Sequence, residues 1–443
     1  MPLKVSLISL GCARNLVDSE VMLGILRKSG YAVCGSPESS DVAIVNTCSF
    51  IEDAKKESVE AILDLIDLKK RKRIRAIVVA GCLPQRYGRD LIDELGEIDA
   101  FIGVEGFEKL PGILEKITGG AKVREIVRSP RYIYGAATPR LRLTAKHFAY
   151  IKVSEGCSHK CSFCVIPDIR GRHRSRGIPS IIREARRLIK DGVKEINLIG
   201  QDTTLYGIDI YRKPKLAELL KKLSDIRGAR WIRLLYTHPA HFNDGLISVI
   251  AAQDAICKYI DLPIQHISGR ILKAMRRGTT KASIAALIVK LRGRVSGIAI
   301  RTAVIVGFPG ETEREFGELA DFIKEIKFER LGAFIYSREE GTAAARFKGQ
   351  IPEREKKARW DEIMKIQRAV SAEKNSGLIG RDFEVLIDEK AQGEKDLYIG
   401  RTYMDAPEID GSVYVRGKGI KAGDFVKARI IDAYEYDLTA ERP

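Results

Sequence analysis

The stretch "EGCSHKCSFCVIP" (Glu155–Pro167) sets Cys157, Cys161 and Cys164 in a C-x3-C-x2-C pattern. Three thiols grouped this tightly point to a metal centre. Structural zinc takes four ligands, usually as two separated pairs. A 4Fe–4S cluster is also normally held by four cysteines, so a set of three leaves one iron with an open position. An open position marks a reactive site more often than a structural one. His159 lies inside the loop, too constrained by its neighbours to be an obvious fourth ligand. The remaining alternative is three cysteines buried as small hydrophobes. The stretch directly follows "FAYIKVS", which reads as a strand, and loops after strands carry the active sites of α/β barrels.

Outward from this loop, residues 146–340 alternate strand-like and helix-like segments. Strands are expected at "FAYIKVS", "EINLIG", "RWIRLLY", "KYIDLPI", "IRTAVIVG" and "ERLGAFIYS", with helices near 178–191, 214–226, 280–294 and 311–326. Six such units are too few for an eight-fold barrel, so an open, partial TIM-like barrel is expected. Upstream, "KVSLISLG", "DVAIVNT", "RAIVVAG" and "DAFIGV" alternate with helices near 17–29, 51–70, 85–95 and 106–118. That pattern predicts a parallel sheet with βαβ crossovers. A linker with Pro130 and Pro139 joins the two. A charged helix at about 353–377 leads to a tail of short strands with glycine turns, which reads as a small β-barrel. The chain is therefore α/β overall, with domains expected at 1–120, 143–377 and 380–443.

Of the 443 residues, 45% are hydrophobic and 30% charged, which excludes a disordered chain. No apolar run approaches a membrane span, so a soluble, cytoplasmic protein is expected. Eight cysteines are too sparse for a disulfide scaffold. The net charge of +17 suggests a polyanionic partner such as RNA or a ribosome. The tail from Arg381 departs from this, with 10 basic and 14 acidic residues and a net charge of −4.

A second cysteine pattern lies upstream. Cys12, Cys48 and Cys82 each fall just past a predicted strand, at intervals of about one βαβ unit. Such strand ends can converge on one sheet edge, where ligands bind. Cys34 and Cys257 lack this placement and are expected to be structural. Polar or glycine-rich loops follow other barrel strands. They carry Gln201 and Asp202, then Gln265 and His266, then Gly307, Pro309, Gly310 and Glu311. Each taken singly is an ordinary turn or cap. Two basic runs stand out. "KKRKRIR" (69–75) reads as a solvated face or an RNA contact. "RGRHRSR" (170–176) reads as a surface loop or as an offset to thiolate charge.

"GCSHKCSFC", with Phe163 before its third cysteine, resembles the signature of radical S-adenosylmethionine (SAM) enzymes. That resemblance implies a 4Fe–4S cluster whose open iron binds SAM and whose electron releases a 5′-deoxyadenosyl radical. "SLGCARNLVDSE", "NTCSFIEDA" and "AGCLPQR" resemble the N-terminal domain of the methylthiotransferases, which join it to a radical SAM core and a TRAM domain. The resemblance covers essentially the whole chain. It implies two 4Fe–4S clusters, the second on Cys12, Cys48 and Cys82 as sulfur donor. It also implies SAM contacts among Phe163, Gln201, Asp202, Gln265, Gly307 and Gly310.

Family members modify either an adenosine beside the tRNA anticodon or an aspartate of ribosomal protein S-twelve. The acidic tail, with Asp405, Glu408 and Asp410 in "YMDAPEIDG", suits a basic protein better than phosphate. The expected substrate is therefore the β-carbon of that aspartate, in S-twelve either free or within the small subunit. Ribosomal RNA contact and an electron donor such as a flavodoxin or ferredoxin are expected partners. The alternatives are a tRNA adenosine methylthiotransferase and a non-catalytic iron–sulfur RNA-binding protein.

Overall fold

The computed structural model describes residues 2–442. Six parallel strands form the N-terminal sheet: β1 (Lys4–Ser9), β2 (Ala32–Val33), β3 (Val42–Thr47), β4 (Ala76–Gly81), β5 (Ala100–Ile102) and β6 (Val123–Glu125). Their order is β2-β1-β3-β4-β5-β6. Strands β3 and β4 are buried along their whole length, as strands covered by helices on both faces must be. The order turns back on itself between β1 and β3, and ligands of open α/β sheets bind at that kind of switch point. The two short edge strands β2 and β6 escaped the sequence reading. Two helices begin three or four residues earlier than their apolar periodicity suggests, at Ala13–Lys28 and Cys82–Glu94.

The central sheet holds β7 (Phe148–Lys152), β10 (Glu195–Ile199), β11 (Trp231–Leu234), β12 (Ile256–Asp261), β13 (Ala299–Val306) and β14 (Arg330–Ile335). They are parallel in the order β7-β10-β11-β12-β13-β14 and form an open, partial barrel. A small antiparallel pair, β8 (Ser154–Glu155) and β9 (Arg174–Ser175), brackets the cysteine loop. The outer core is aliphatic. Ile181, Leu188, Leu219, Leu246, Ile288, Leu319 and Ile323 of the surrounding helices pack on strand residues such as Ile151, Leu198 and Ile232. The helix Glu353–Ser376 seals the β14 edge, with the Trp360 indole N–H donating to the Ala333 carbonyl at 2.8 Å.

The C-terminal strands β15 (Asp382–Lys390), β16 (Leu397–Arg401), β17 (Val413–Arg416), β18 (Phe425–Ala433) and β19 (Leu438–Glu441) form a closed barrel, β15-β16-β17-β19-β18. The four-residue β19 was not expected from the sequence. It closes the barrel by pairing parallel to β17 and antiparallel to β18, which leaves no open edge. Among the described residues no helix is long and apolar enough to cross a membrane.

The acidic loop of this small barrel corrects the sequence reading. It plugs the end of the central barrel opposite the cysteines. Asp405, 1% exposed, takes two bonds from Arg330, at 2.9 and 2.6 Å, and one from the Thr402 hydroxyl at 2.8 Å. Asp410 accepts from the Tyr259 hydroxyl at 2.7 Å and pairs with Arg301 at 3.3 Å. Burial raises the Asp410 pKa. Only Glu408 of the three is exposed. Asp405 and Asp410 therefore neutralise arginines of the same chain and are not on offer to a basic partner. Charge counted along a sequence cannot distinguish a paired carboxylate from a free one. Asp405→Asn is expected to cost about 2 kcal/mol in urea unfolding, since it weakens the bonds to a buried arginine. Glu408→Lys should stay within about 0.5 kcal/mol. Equal effects would contradict the assignment.

Candidate active site

Each cysteine set is built by strand ends. Gly11, Gly81 and Gly156 precede Cys12, Cys82 and Cys157, and all three have positive φ. The conformation turns the chain out of its strand and swings the cysteine over the sheet edge. At Gly81 a Cβ would lie 2.3 Å from Asn46 Oδ1, and at Gly156 it would lie 2.2 Å from the Arg172 carbonyl oxygen. Neither position admits a side chain.

In the Cys157 loop, the Cys157 N–H donates to the Gly171 carbonyl at 3.0 Å and the Cys164 N–H to that of Cys161 at 3.2 Å. Ser162 anchors the loop to the far side of the mouth. Its N–H donates to Met275 O at 3.1 Å and its hydroxyl to Ala274 O at 2.7 Å. All three cysteines are free and partly exposed. Burial, set against nearby hydrogen bonding, pushes the Cys157 thiol up to about 11 and the Cys164 thiol to about 12. Arg277 approaches Cys161 Sγ at 3.7 Å.

Cys12, Cys48 and Cys82 gather at the ends of β1, β3 and β4, beside the switch point. Cys12 caps one helix and Cys82 opens another, so helix N-termini add positive potential there. Burial opposes ionisation of Cys12, yet Arg14, the Asn15 N–H and Arg170 hold its thiol below the ordinary value. Burial, aided by Cys82, raises Cys48 to about 12.

The two sets share one space. Cys82 packs with Val165 and Ile169, and Val165 immediately follows Cys164. Arg170, from the central domain, reaches back to Cys82 Sγ at 3.3 Å and to Asp18 at 2.6 Å. Arg14, from the N-terminal domain, donates to the Gly200 carbonyl at 2.8 Å and lies over the Tyr236 ring at 4.4 Å. The interface is held by a buried quartet. Lys152 Nζ is 2.6 Å from both Asp18 and Glu155, and Arg170 binds the same two carboxylates. Burial disfavours the Glu155 anion, but Lys152 and Arg170 hold its pKa well below the usual carboxylate range.

The other expected residues fall unevenly. Gln201 donates to Glu155, within the shared space. Phe163 packs in a small apolar cluster with Ile271, Met275 and Phe308. Gln265 has a positive φ and its N–H donates to Ala303 O at 2.9 Å, so its backbone extends the sheet. Gly310 is tied to the Gly349 carbonyl at 2.7 Å, and Gly307 lies against Lys356. Asp202 departs from expectation. It is 2% exposed, and both its oxygens are taken by protein donors. Within "RGRHRSR", Arg170 and Arg176 are buried, and the run is no surface loop. In "KKRKRIR", Lys69, Arg71 and Arg75 pair with Asp99, Asp67 and Asp41. Cys257 is buried in the barrel interior, and Cys34 lies apart from both sets.

Arg14, Asp18, Lys152, Glu155 and Arg277 were missed by sequence reasoning, whereas Arg170 belongs to the run read as an offset to thiolate charge and does stand beside Cys82. No linear spacing joins them, since they come together only across the domain interface. The donor chemistry, three free thiols per set with arginines beside them and none in a disulfide, fits two thiolate-ligated clusters.

Comparison with known proteins agrees with this architecture. Residues 4–103 match UPF0004, an uncharacterized protein family, residues 151–323 the radical SAM superfamily, and residues 379–442 the TRAM domain. A protein of Caldanaerobacter subterraneus subsp. tengcongensis named ribosomal protein uS12 methylthiotransferase RimO is 49% identical, over 99% of each chain. Relatives of the same name from Desulforamulus reducens and Pelotomaculum thermopropionicum are each 47% identical, over 99–100% of this chain and 99% of theirs. Among solved structures, the radical SAM methyltransferase TsrM from Kitasatospora setae, with cobalamin and a [4Fe-4S] cluster bound, matches in fold. Its TM-score is 0.57 at 18% identity, over 78% of this chain and 77% of that one.

The three domains and the joined thiol sets define a radical SAM methylthiotransferase, an enzyme class that uses SAM and an iron–sulfur cluster. The chain belongs to the ribosomal protein uS12 methylthiotransferase RimO family.

Proposed function

We propose that this enzyme inserts a methylthio group at the β-carbon of an aspartate in ribosomal protein S-twelve. The observation that carries this is 45–49% identity along essentially the whole chain to relatives named for that protein. The acidic loop no longer contributes, because two of its three charges are internal. When bound, a cluster on Cys157, Cys161 and Cys164 with SAM would supply a carbon-centred radical, and one on Cys12, Cys48 and Cys82 would supply sulfur.

The chain's own residues prepare that chemistry. Arg277 stands by the first thiol set, and Arg14 and Arg170 by the second, so each set of developing thiolates has a fixed cation. The segment from Arg401 to Asp410 closes the far end of the barrel, with Arg401 bound to Glu195 at 2.8 Å and Arg233 to the Tyr403 carbonyl at 2.6 Å. Water is thereby kept from that end, as radical chemistry requires. The SAM contacts other than Asp202, ribosomal RNA contact through the TRAM barrel, a flavodoxin or ferredoxin donor and a cytoplasmic setting belong to the same proposal.

The reconstituted enzyme should be incubated with SAM, reductant and either S-twelve or tRNA, and both products weighed by mass spectrometry. A methylthio mass increment is expected on the protein alone. An increment found only on tRNA would overturn the substrate assignment.

A further inference from the structure

Three histidines and a carboxylate meet beside the Cys157 loop. His159 comes from the loop itself, Asp202 from the end of β10, and His238 and His241 from the segment after β11. One donor atom of each lies within 4.8 Å of the other three. Asp202 Oδ2 is 2.7 Å from His159 Nε2 and 2.9 Å from His241 Nδ1. The three imidazoles stack on one another, with centroids 4.5, 4.7 and 5.1 Å apart.

The carboxylate is fixed in place. Its other oxygen accepts from the Thr204 N–H at 2.9 Å, the Leu205 N–H at 3.3 Å and the Thr204 hydroxyl. Burial opposes its charge, but the bonds from His159, His241 and Thr204 keep it ionised far below the usual range. His238 is the odd member. Its Nδ1 accepts from the Ala240 N–H at 3.2 Å, and its Nε2 is buried without any partner. Burial and the nearby Arg277 push its pKa down to about 2, so the ring is neutral. A turn cap needs only Asp202 and one donor. It accounts neither for two imidazoles on one oxygen nor for an orphaned third nitrogen, and a buried polar atom without a partner calls for a ligand.

We propose that His159, Asp202, His238 and His241 form a mononuclear site for a divalent transition metal of the zinc class. Three imidazoles and one carboxylate favour zinc, cobalt or ferrous iron over magnesium or calcium, which prefer all-oxygen shells. The ion ties the cysteine loop to the ends of β10 and β11. Ligation replaces the bonds of His159 Nε2 and His241 Nδ1 to Asp202 with bonds to the ion, their ring protons passing to His159 Nδ1 and His241 Nε2; ligation through His238 Nε2 places its ring proton on Nδ1 and gives up the bond from Ala240, which at 3.2 Å is among the longer ones here. Arg277 is the opposing charge. It stands 3.7 Å from Cys161 Sγ, where a thiolate offsets it.

The full chain, with its clusters reconstituted anaerobically from iron and sulfide, should be dialysed against cobalt(II) and then buffer. About one equivalent of cobalt is expected to remain, with a cobalt-edge X-ray absorption spectrum showing nitrogen and oxygen neighbours and no sulfur, and zinc should displace it. His159→Gln and His241→Gln should each lower affinity about 10–100-fold. Both side chains are about a quarter exposed, at 23% and 24%, so these variants should fold. No retained cobalt, sulfur neighbours around the cobalt, or retention unchanged in both variants would overturn the site.

Discussion

Cys157→Ala is expected to abolish cleavage of SAM to 5′-deoxyadenosine, while Cys12→Ala leaves that cleavage in place and abolishes methylthio transfer. Each loss should reach background, at least about three orders of magnitude, because a thiol ligand has no substitute nearby. The folded structure lets the two results be read cleanly. The Cys157 loop is held by backbone bonds to Gly171 and by Ser162, none of which uses a thiol. Cys12 makes no side-chain capping bond to its helix, so alanine there leaves the helix start intact. Chromatography of the nucleoside and mass spectrometry of the protein substrate separate the two steps. If Cys157→Ala still cleaved SAM, the radical role of its set would be wrong. If Cys12→Ala still transferred the methylthio group, sulfur donation would have to come from elsewhere.

Arg170→Met is expected to destabilise the enzyme by about 3–5 kcal/mol, the cost of leaving buried carboxylates without one of their two cations. Asp18 and Glu155 would then share Lys152 alone. Urea unfolding with a double-mutant cycle against Asp18→Asn measures the coupling directly. A change below about 1 kcal/mol would show that the quartet contributes little. The effect should depend on pH in a definite sense. The folded-state pKa of Glu155 lies below its ordinary 4.5. The stabilisation is therefore complete above that pH and is lost as the pH falls towards the folded value. The difference between wild type and variant should narrow on acidification. Arg170→Met also removes the cation 3.3 Å from Cys82, so the N-terminal thiol set should bind iron and sulfide less tightly.

Much of this was legible in the residues. Short apolar runs marked the long strands of the two parallel sheets, since burial on both faces demands them. The two-residue β2 carries no period and was missed, and so was β19 at Leu438–Glu441. Both sets of three cysteines were legible because a ligand type is chemically distinctive and the βαβ repeat places strand ends at regular intervals. The histidine site had a signal as well, "HPAH" at 238–241 with His159 between cysteines, but two separate segments gave no spacing to read.

By itself, then, the sequence determined the three domains, the parallel sheets and the six thiols, because periodicity and residue chemistry are local properties. Tertiary structure alone decided which charges are spent and which are free. Asp405 and Asp410 look like a docking loop in sequence and are internal counterions in space. Arg170 reads in sequence as either a surface residue or an offset to thiolate charge, and the fold buries it between two domains beside Cys82. An ion pair is fixed by distance and desolvation, and neither is written in the order of residues along a chain.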